Sequence, residues 1–191
     1  GNGHNTAVGS QSQLNATTGE YNTSLGSLSM GSGVLTGDAN VAIGYYAGNA
    51  MTTGFYNTIM GHQAGDSLTI GNQNVAIGYE ALSTSVDGDH NVAVGYAALQ
   101  DYEDGDGNGF NTAVGSQSQA NATTGEFNTS LGALSMGVGV TTGNYNVAIG
   151  NEAGNDLTSG NRNTFVGYRA GFELTTSASN TGVGYNALKN S

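Results

Sequence analysis

The sequence predicts an all-β protein wound as a parallel β-solenoid (a β-roll or β-helix) of about eleven 17-residue coils. Three observations carry the prediction. A pentapeptide closed by glycine recurs at near-constant spacing, its residues alternate with a period of two, and no stretch runs far enough without glycine for a stable helix.

The pentapeptide reads Asn, Thr or Val, any residue, an aliphatic residue or Met, Gly. It begins at Asn5, Asn22, Asn40, Asn57, Asn74, Asn91, Asn111, Asn128, Asn146, Asn163 and Asn180, with spacings of 17, 18, 17, 17, 17, 20, 17, 18, 17 and 17. In Asn40-Val41-Ala42-Ile43-Gly44, Val41 and Ile43 point one way and Ala42 the other. The second position alternates between Thr and Val, which suits a β-branched strand site. The expectation is that Val, Ile, Leu and Met fill a thin interior. The column of small residues between them (Ala7, Ser24, Ala42, Ala76, Ala93, Ala113, Ser130, Ala148) then marks a close approach of backbone. Either the two walls of a flattened roll meet there, or neighbouring subunits pack there around an axis.

The closing glycine permits a positive-φ turn or a close backbone approach. A second short strand is expected through Tyr45-Tyr46-Ala47, followed by a polar return loop. In eight of the eleven coils that loop is closed by a glycine three residues before the next Asn. Coils stacked about 4.8 Å apart make a rod roughly 50 Å long, with the asparagines in an amide ladder. The longest glycine-free stretch, 172–181, is ten residues. A helix of that length is marginal, and each interior glycine costs about 1 kcal/mol relative to Ala.

A longer repeat is superposed. Residues 1–48 reappear at 107–154 with ten differences, so the six-coil block 1–106 is partly duplicated from 107. No boundary interrupts the grid, and 1–191 reads as a single continuous repeat domain. The chain begins inside a repeat, at Gly1-Asn2-Gly3, which predicts a fragment or a processed product.

Composition narrows the function classes. Glycine supplies 33 residues, Pro and Cys none, and only 9% are charged. The net charge of −11 rests on 14 acidic residues against Arg162, Arg169 and Lys189. No cluster of Lys or Arg is available to neutralise phosphates, which argues against nucleic acid and against an anionic membrane surface as partners. No apolar run is long enough to span a bilayer as a helix. Stability outside the cell would have to come from backbone pairing, since no disulfide can form.

Candidate chemistry is sparse. The 20-residue coil contains Asp104-Gly105-Asp106-Gly107-Asn108-Gly109, which fits the first half of a calcium loop, with Asp104, Asp106 and Asn108 as the alternating oxygen ligands. A full loop needs a bidentate Glu at its twelfth position, where Gly115 stands, so a solvated acidic turn is the competing reading. Asp87 and Asp89, one coil earlier, could supply further oxygens. Calcium is the one cofactor the sequence suggests, and none is required. Tyr45, Tyr79, Tyr96, Tyr168 and Tyr185 each follow a motif glycine and form either a stacking ladder or an exposed sugar-binding column. His4, His62 and His90 show no metal spacing. Serines such as Ser10, Ser12, Ser116 and Ser118 belong to the repeat, the phosphate-loop Lys is missing, and no catalytic constellation emerges, so the chain is not expected to be an enzyme. A regular outward Thr face, as an ice-binding surface needs, is not expected either, since the Thr/Val position is read as inward.

The Asn-Val-Ala-Ile-Gly-Tyr-x-Ala-Leu pattern, as at Asn74 to Leu82, resembles the head repeats of trimeric autotransporter adhesins, whose units contain a similar Ser-Val-Ala-Ile-Gly. The 17-residue spacing, with Asn-Thr-Ala-Val-Gly and Asn-Val-Ala-Ile-Gly segments separated by Thr-Thr-Gly or Thr-Gly turns, resembles repeats of bacteriophage tail-fibre and virion fibre proteins more closely. The resemblance implies a left-handed coil, a homotrimer, a place on a virion or cell surface, and attachment to a host cell-surface glycan or protein. A slender coil with few inward apolar side chains per 17 ordered residues points to oligomerisation as well. The expected function is a structural fibre segment of a trimeric extracellular appendage, first a phage fibre. The alternatives are a bacterial surface adhesin or filament, and a calcium-dependent carbohydrate-binding module.

Overall fold

A computed structural model describes residues 3–103 and 109–190. Every motif forms a three-residue strand: β1 (Thr6–Val8), β2 (Thr23–Leu25), β3 (Val41–Ile43), β4 (Thr58–Met60), β5 (Val75–Ile77), β6 (Val92–Val94), β7 (Thr112–Val114), β8 (Thr129–Leu131), β9 (Val147–Ile149), β10 (Thr164–Val166) and β11 (Thr181–Val183). They pair in parallel, in chain order, in one eleven-stranded sheet, with each residue opposite its motif equivalent, as in Val75↔Val92 and Ile77↔Val94. The chain is a parallel β-solenoid, and the described residues contain no helix.

Hydrogen bonds between coils are not confined to the strands. In the turns, the N–H groups of Gly48, Ala50 and Thr52 donate to the carbonyls of Ala64, Asp66 and Thr69 at 2.9–3.0 Å. Tyr46 and Tyr56 donate the opposite way, to Ser27 and Asp38. Each coil is therefore tied to both neighbours around its circumference, satisfying backbone groups that short strands alone would leave unpaired.

The asparagine ladder runs through every step. Each motif Asn Oδ1 accepts the backbone N–H of the next motif Asn, from Asn22 on Asn5 at 2.7 Å to Asn180 on Asn163 at 3.0 Å. The Nδ2 donates to a turn carbonyl about one coil on, for instance Asn57 to Gly71 and Asn146 to Gly160 at 2.8 Å. Two differ: Asn180, in the last coil, donates back to Ala178, and Asn91, which opens the 20-residue coil, has no acceptor for its Nδ2 among the described residues.

The sense of the strands is the reverse of the expected one. Ala42, Ala76, Ala93, Ala113 and Ala148 are fully buried, whereas their β-branched and aliphatic neighbours face outward, as the burial of the centre alone in β3, β5 and β9 shows. The small column is thus where two walls of one coil meet. The large interior side chains come from the turns, from positions eight and eleven after the Asn, such as Leu82, Leu99, Met51, Leu68 and Leu157. The coil is so narrow that turn residues reach the inner face of the sheet directly, leaving room there for little more than a methyl group or a hydroxyl. The expected strand through Tyr45-Tyr46-Ala47 does not form. Those residues are a turn, and Tyr46 adopts φ 59°.

Two places test the packing rule. Ile59 and Phe165 occupy the small column, and both are fully buried. Each is flanked by glycine at the eighth position of its own and the preceding coil: Gly48 and Gly65 beside Ile59, Gly154 and Gly171 beside Phe165. Volume gained on one wall is removed from the other, which keeps the interior close-packed. The apolar core is interrupted once, between the clusters ending at Ala122 and beginning at Met136. Ser118, Gln119, Ser130 and Ser135 are buried there, Ser118 bonds Ser130, and both polar ends of the Gln119 amide are unpaired.

Candidate functional site

Because side chains alternate along a strand, the outward face of the sheet has four columns. Its centre is the Thr/Val column and the aliphatic column of the motif. On either side stand two flanks: a leading flank formed by the residue before each motif Asn, and a trailing flank formed by the residue after each motif Gly. None of the 14 acidic residues of the sequence occupies any of these four positions, and of the basic residues only Arg162 does. In a chain of net charge −11 this leaves one face without acidic residues, rich in aliphatic and aromatic side chains, with Arg162 its one Lys or Arg.

The face is exposed. Val8, Leu25, Leu131 and Val183 are 46–69% accessible, and Tyr21, Tyr56, Tyr45 and Tyr96 are 47–61% accessible. In the inner coils the centre of the face is half-buried, as at Val41, Ile43, Val75 and Ile77, and its rings and aliphatic side chains form a candidate contact surface.

Stacked rings run along parts of both flanks. On the trailing side Tyr45, His62, Tyr79 and Tyr96 follow one another at centroid distances of 5.2, 5.1 and 5.7 Å, nearly parallel, and Tyr168 stacks on Tyr185 at 5.4 Å. On the leading side His90, Phe110, Phe127 and Tyr145 stack at 4.5, 5.1 and 5.0 Å, and His4 stacks on Tyr21 at 5.2 Å. The tyrosine ladder is therefore present, and all three histidines belong to such ladders rather than to unrelated surroundings. The leading column lies one residue outside a motif that begins at Asn, so the motif alone does not disclose it. Reading one residue further back aligns His4, Tyr21, Tyr56, His90, Phe110, Phe127 and Tyr145. Every described residue of that column is left-handed, with φ of 51–70°.

The Thr/Val column faces outward, not inward. It alternates irregularly between the two residues and is bordered by aliphatic side chains, so no unbroken Thr array results.

The charged groups gather elsewhere. Arg169 Nε pairs with Glu152 at 2.5 Å, and its guanidinium lies over the Tyr168 and Phe172 rings at 5.1 and 4.9 Å. The bond to Glu152 raises the Arg169 pKa further. Burial, and secondarily the Glu173 carboxylate, raises the Asp156 carboxyl, while burial raises that of Asp66 against the opposing effect of His62. The Tyr79 hydroxyl is raised, first by its hydrogen bond with Glu80.

The candidate calcium ligands Asp104, Asp106 and Asn108 lie outside the described residues. Of the carboxylates one coil earlier, Asp89 is engaged by its own neighbour: its Oδ1 accepts the Asn72 backbone N–H at 2.6 Å and the Asn72 Nδ2 at 3.1 Å. Asp87 Oδ1 is buried without a partner among the described residues. No group of three or more His, Cys, Asp or Glu among the described residues is arranged to hold a metal ion.

Comparison of the chain with protein-family models, with curated proteins and with solved structures finds no match.

Proposed function

We propose that the chain is a stiff structural segment of a trimeric extracellular fibre, a phage tail or virion fibre that helps bring the particle to its host. The observation that carries this reading is the uninterrupted ladder: ten successive asparagine steps and eleven in-register strands along one axis. Such a coil transmits load through hydrogen bonds repeated at every level and offers a protease few loose segments. The resemblance of the motif to fibre repeats supports the same reading and adds a left-handed coil and three chains. The acid-free outward face supplies a surface on which chains can meet.

A bacterial surface adhesin or filament is the second reading, favoured by the Asn74 to Leu82 pattern that resembles autotransporter head repeats. Both place the chain outside the cell or on the virion, with a glycan or protein of the host as the more distant partner. Immunogold labelling with antibodies against this chain tests the proposal. Label along a virion fibre supports the first reading, and label on bacterial surface filaments transfers the function to the second. Label confined to the cell interior overturns both.

A further inference from the structure

The two flanks of the outward face are complementary level by level. At the levels of β1, β2, β7, β8 and β9 the ring stands on the leading flank (His4, Tyr21, Phe110, Phe127, Tyr145), and the trailing residue is Ser, Ala or Asn. At β3, β5, β10 and β11 it stands on the trailing flank (Tyr45, Tyr79, Tyr168, Tyr185), and the leading residue is Ala39, Gln73, Arg162 or Ser179. Only the levels of β4 and β6 carry rings on both sides, Tyr56 with His62 and His90 with Tyr96.

The duplicated block sharpens the pattern. Level β9 is the copy of level β3. Between them Ala39 has become Tyr145 while Tyr45 has become Asn151, so the ring has changed flank and the count has stayed at one. Six residues separate the flanks within a level, with the three-residue strand between them, a span of up to roughly 20 Å that keeps the two side chains of one chain apart. A large residue on one flank can be matched to a small one on the other only if the two meet between chains.

We propose that copies of this chain associate parallel and in register through the outward face, the leading flank of one copy packing against the trailing flank of the next. The inference rests on the fibre reading and specifies its contact. Side by side, parallel copies place a ring against a non-aromatic residue at nine of eleven levels, and at seven of these that residue is Ala, Ser or Asn. An antiparallel pair sets like flanks together and loses the match. The occupant is a second copy because only a surface with the same repeat keeps every ridge in phase along the whole rod. The face measures roughly 20 by 50 Å, on the order of 1,000 Å² per copy, against about 800 Å² per partner in a stable interface.

Paired cysteines test the contact, since the chain has none of its own. A Gln73→Cys/Tyr79→Cys double variant cannot close a bond within one chain, where the limit between Cα atoms is about 7 Å. Mild oxidation is expected to link chains into a closed oligomer on a non-reducing gel, with each single variant remaining at chain mass. Linked dimers of either single variant would show like flanks meeting, and an oligomer that no variant cross-links would place the contact on another face. Either result overturns the inference and leaves the fibre reading standing. A chain that stays monomeric by light scattering at every concentration overturns both. In addition, Ala39→Tyr is expected to weaken association about tenfold by overpacking its level, and adding Tyr45→Asn to restore it. Failure of the second change to rescue the first contradicts the one-ring rule.

Discussion

Gly78 stands at φ +133°, and a Cβ built on it would collide with the carbonyl oxygen of Gly95 in the next coil. Gly184, at φ +127°, has nothing within reach of a Cβ. The same motif position therefore separates two costs. Gly78→Ala should destabilise by about 3 kcal/mol or more, from backbone strain plus steric overlap. Gly184→Ala should lose only the strain, about 1–3 kcal/mol. Denaturant midpoints of the two variants check this, and equal losses would contradict the close-approach account. The need for this glycine was legible in the sequence. The left-handed conformation of 29 described non-glycine residues, with φ of 46–70°, was not. Isolated preferences disfavour a Tyr, Phe or Leu at such angles, and only hydrogen bonds to the coils above and below hold them there. The ladder, a tertiary feature, overrides the local preference.

At the level of the coil, the period-two alternation gave the strands but not their orientation. An apolar, small, apolar tripeptide is compatible with either face turned inward, and the usual expectation that large apolar residues fill the core points the wrong way here. What decides is the partner wall: Leu82 and Leu99 in the turn fill the space that the alanines of β5 and β6 leave. Where the turn has Gly65, the strand has Ile59, whose Cδ1 lies 3.0 Å from a Cβ built on that glycine. Ile59→Ala should cost about 2–4 kcal/mol by opening a cavity. The double change Ile59→Ala/Gly65→Leu recreates the Ala76 and Leu82 arrangement of the neighbouring coil and should recover at least half of that loss. Leu82 already adopts φ 54° at the equivalent turn position, so the backbone accepts the new residue. A double variant less stable than the single one would contradict wall-to-wall compensation. The candidate site was half legible for the same reason: the trailing tyrosines follow a motif glycine and were visible, while the leading rings sit across a coil boundary and needed the stacked register to be seen as one column.

Over the whole molecule, charge and shape act together. Asp66 and Asp156 have carboxyl groups raised above the ordinary range, burial being the larger cause for each. A carboxyl whose folded value lies above its unfolded one favours the folded chain while protonated, and that contribution disappears as pH rises through the folded value. With a net charge of −11, acidification also relieves repulsion along the rod. The thermal midpoint should therefore rise as pH falls from neutrality toward about 4 to 5, and Asp156→Asn should flatten the rise. Circular-dichroism melts across that range check the sign, and a midpoint that falls steadily would contradict it. The sequence located this charge but not its segregation, since which repeat positions share a face depends on the turn residues that close each coil.

The central claim is that these coils form a rod that meets copies of itself. Light scattering coupled to size exclusion, with negative-stain images of the same fraction, tests it most directly. The account predicts about three times the chain mass of 19.2 kDa in particles roughly 50 Å long. A particle of one chain mass, unchanged as concentration rises, would mean that the exposed sheet face is tolerated by a lone coil, and would contradict the claim.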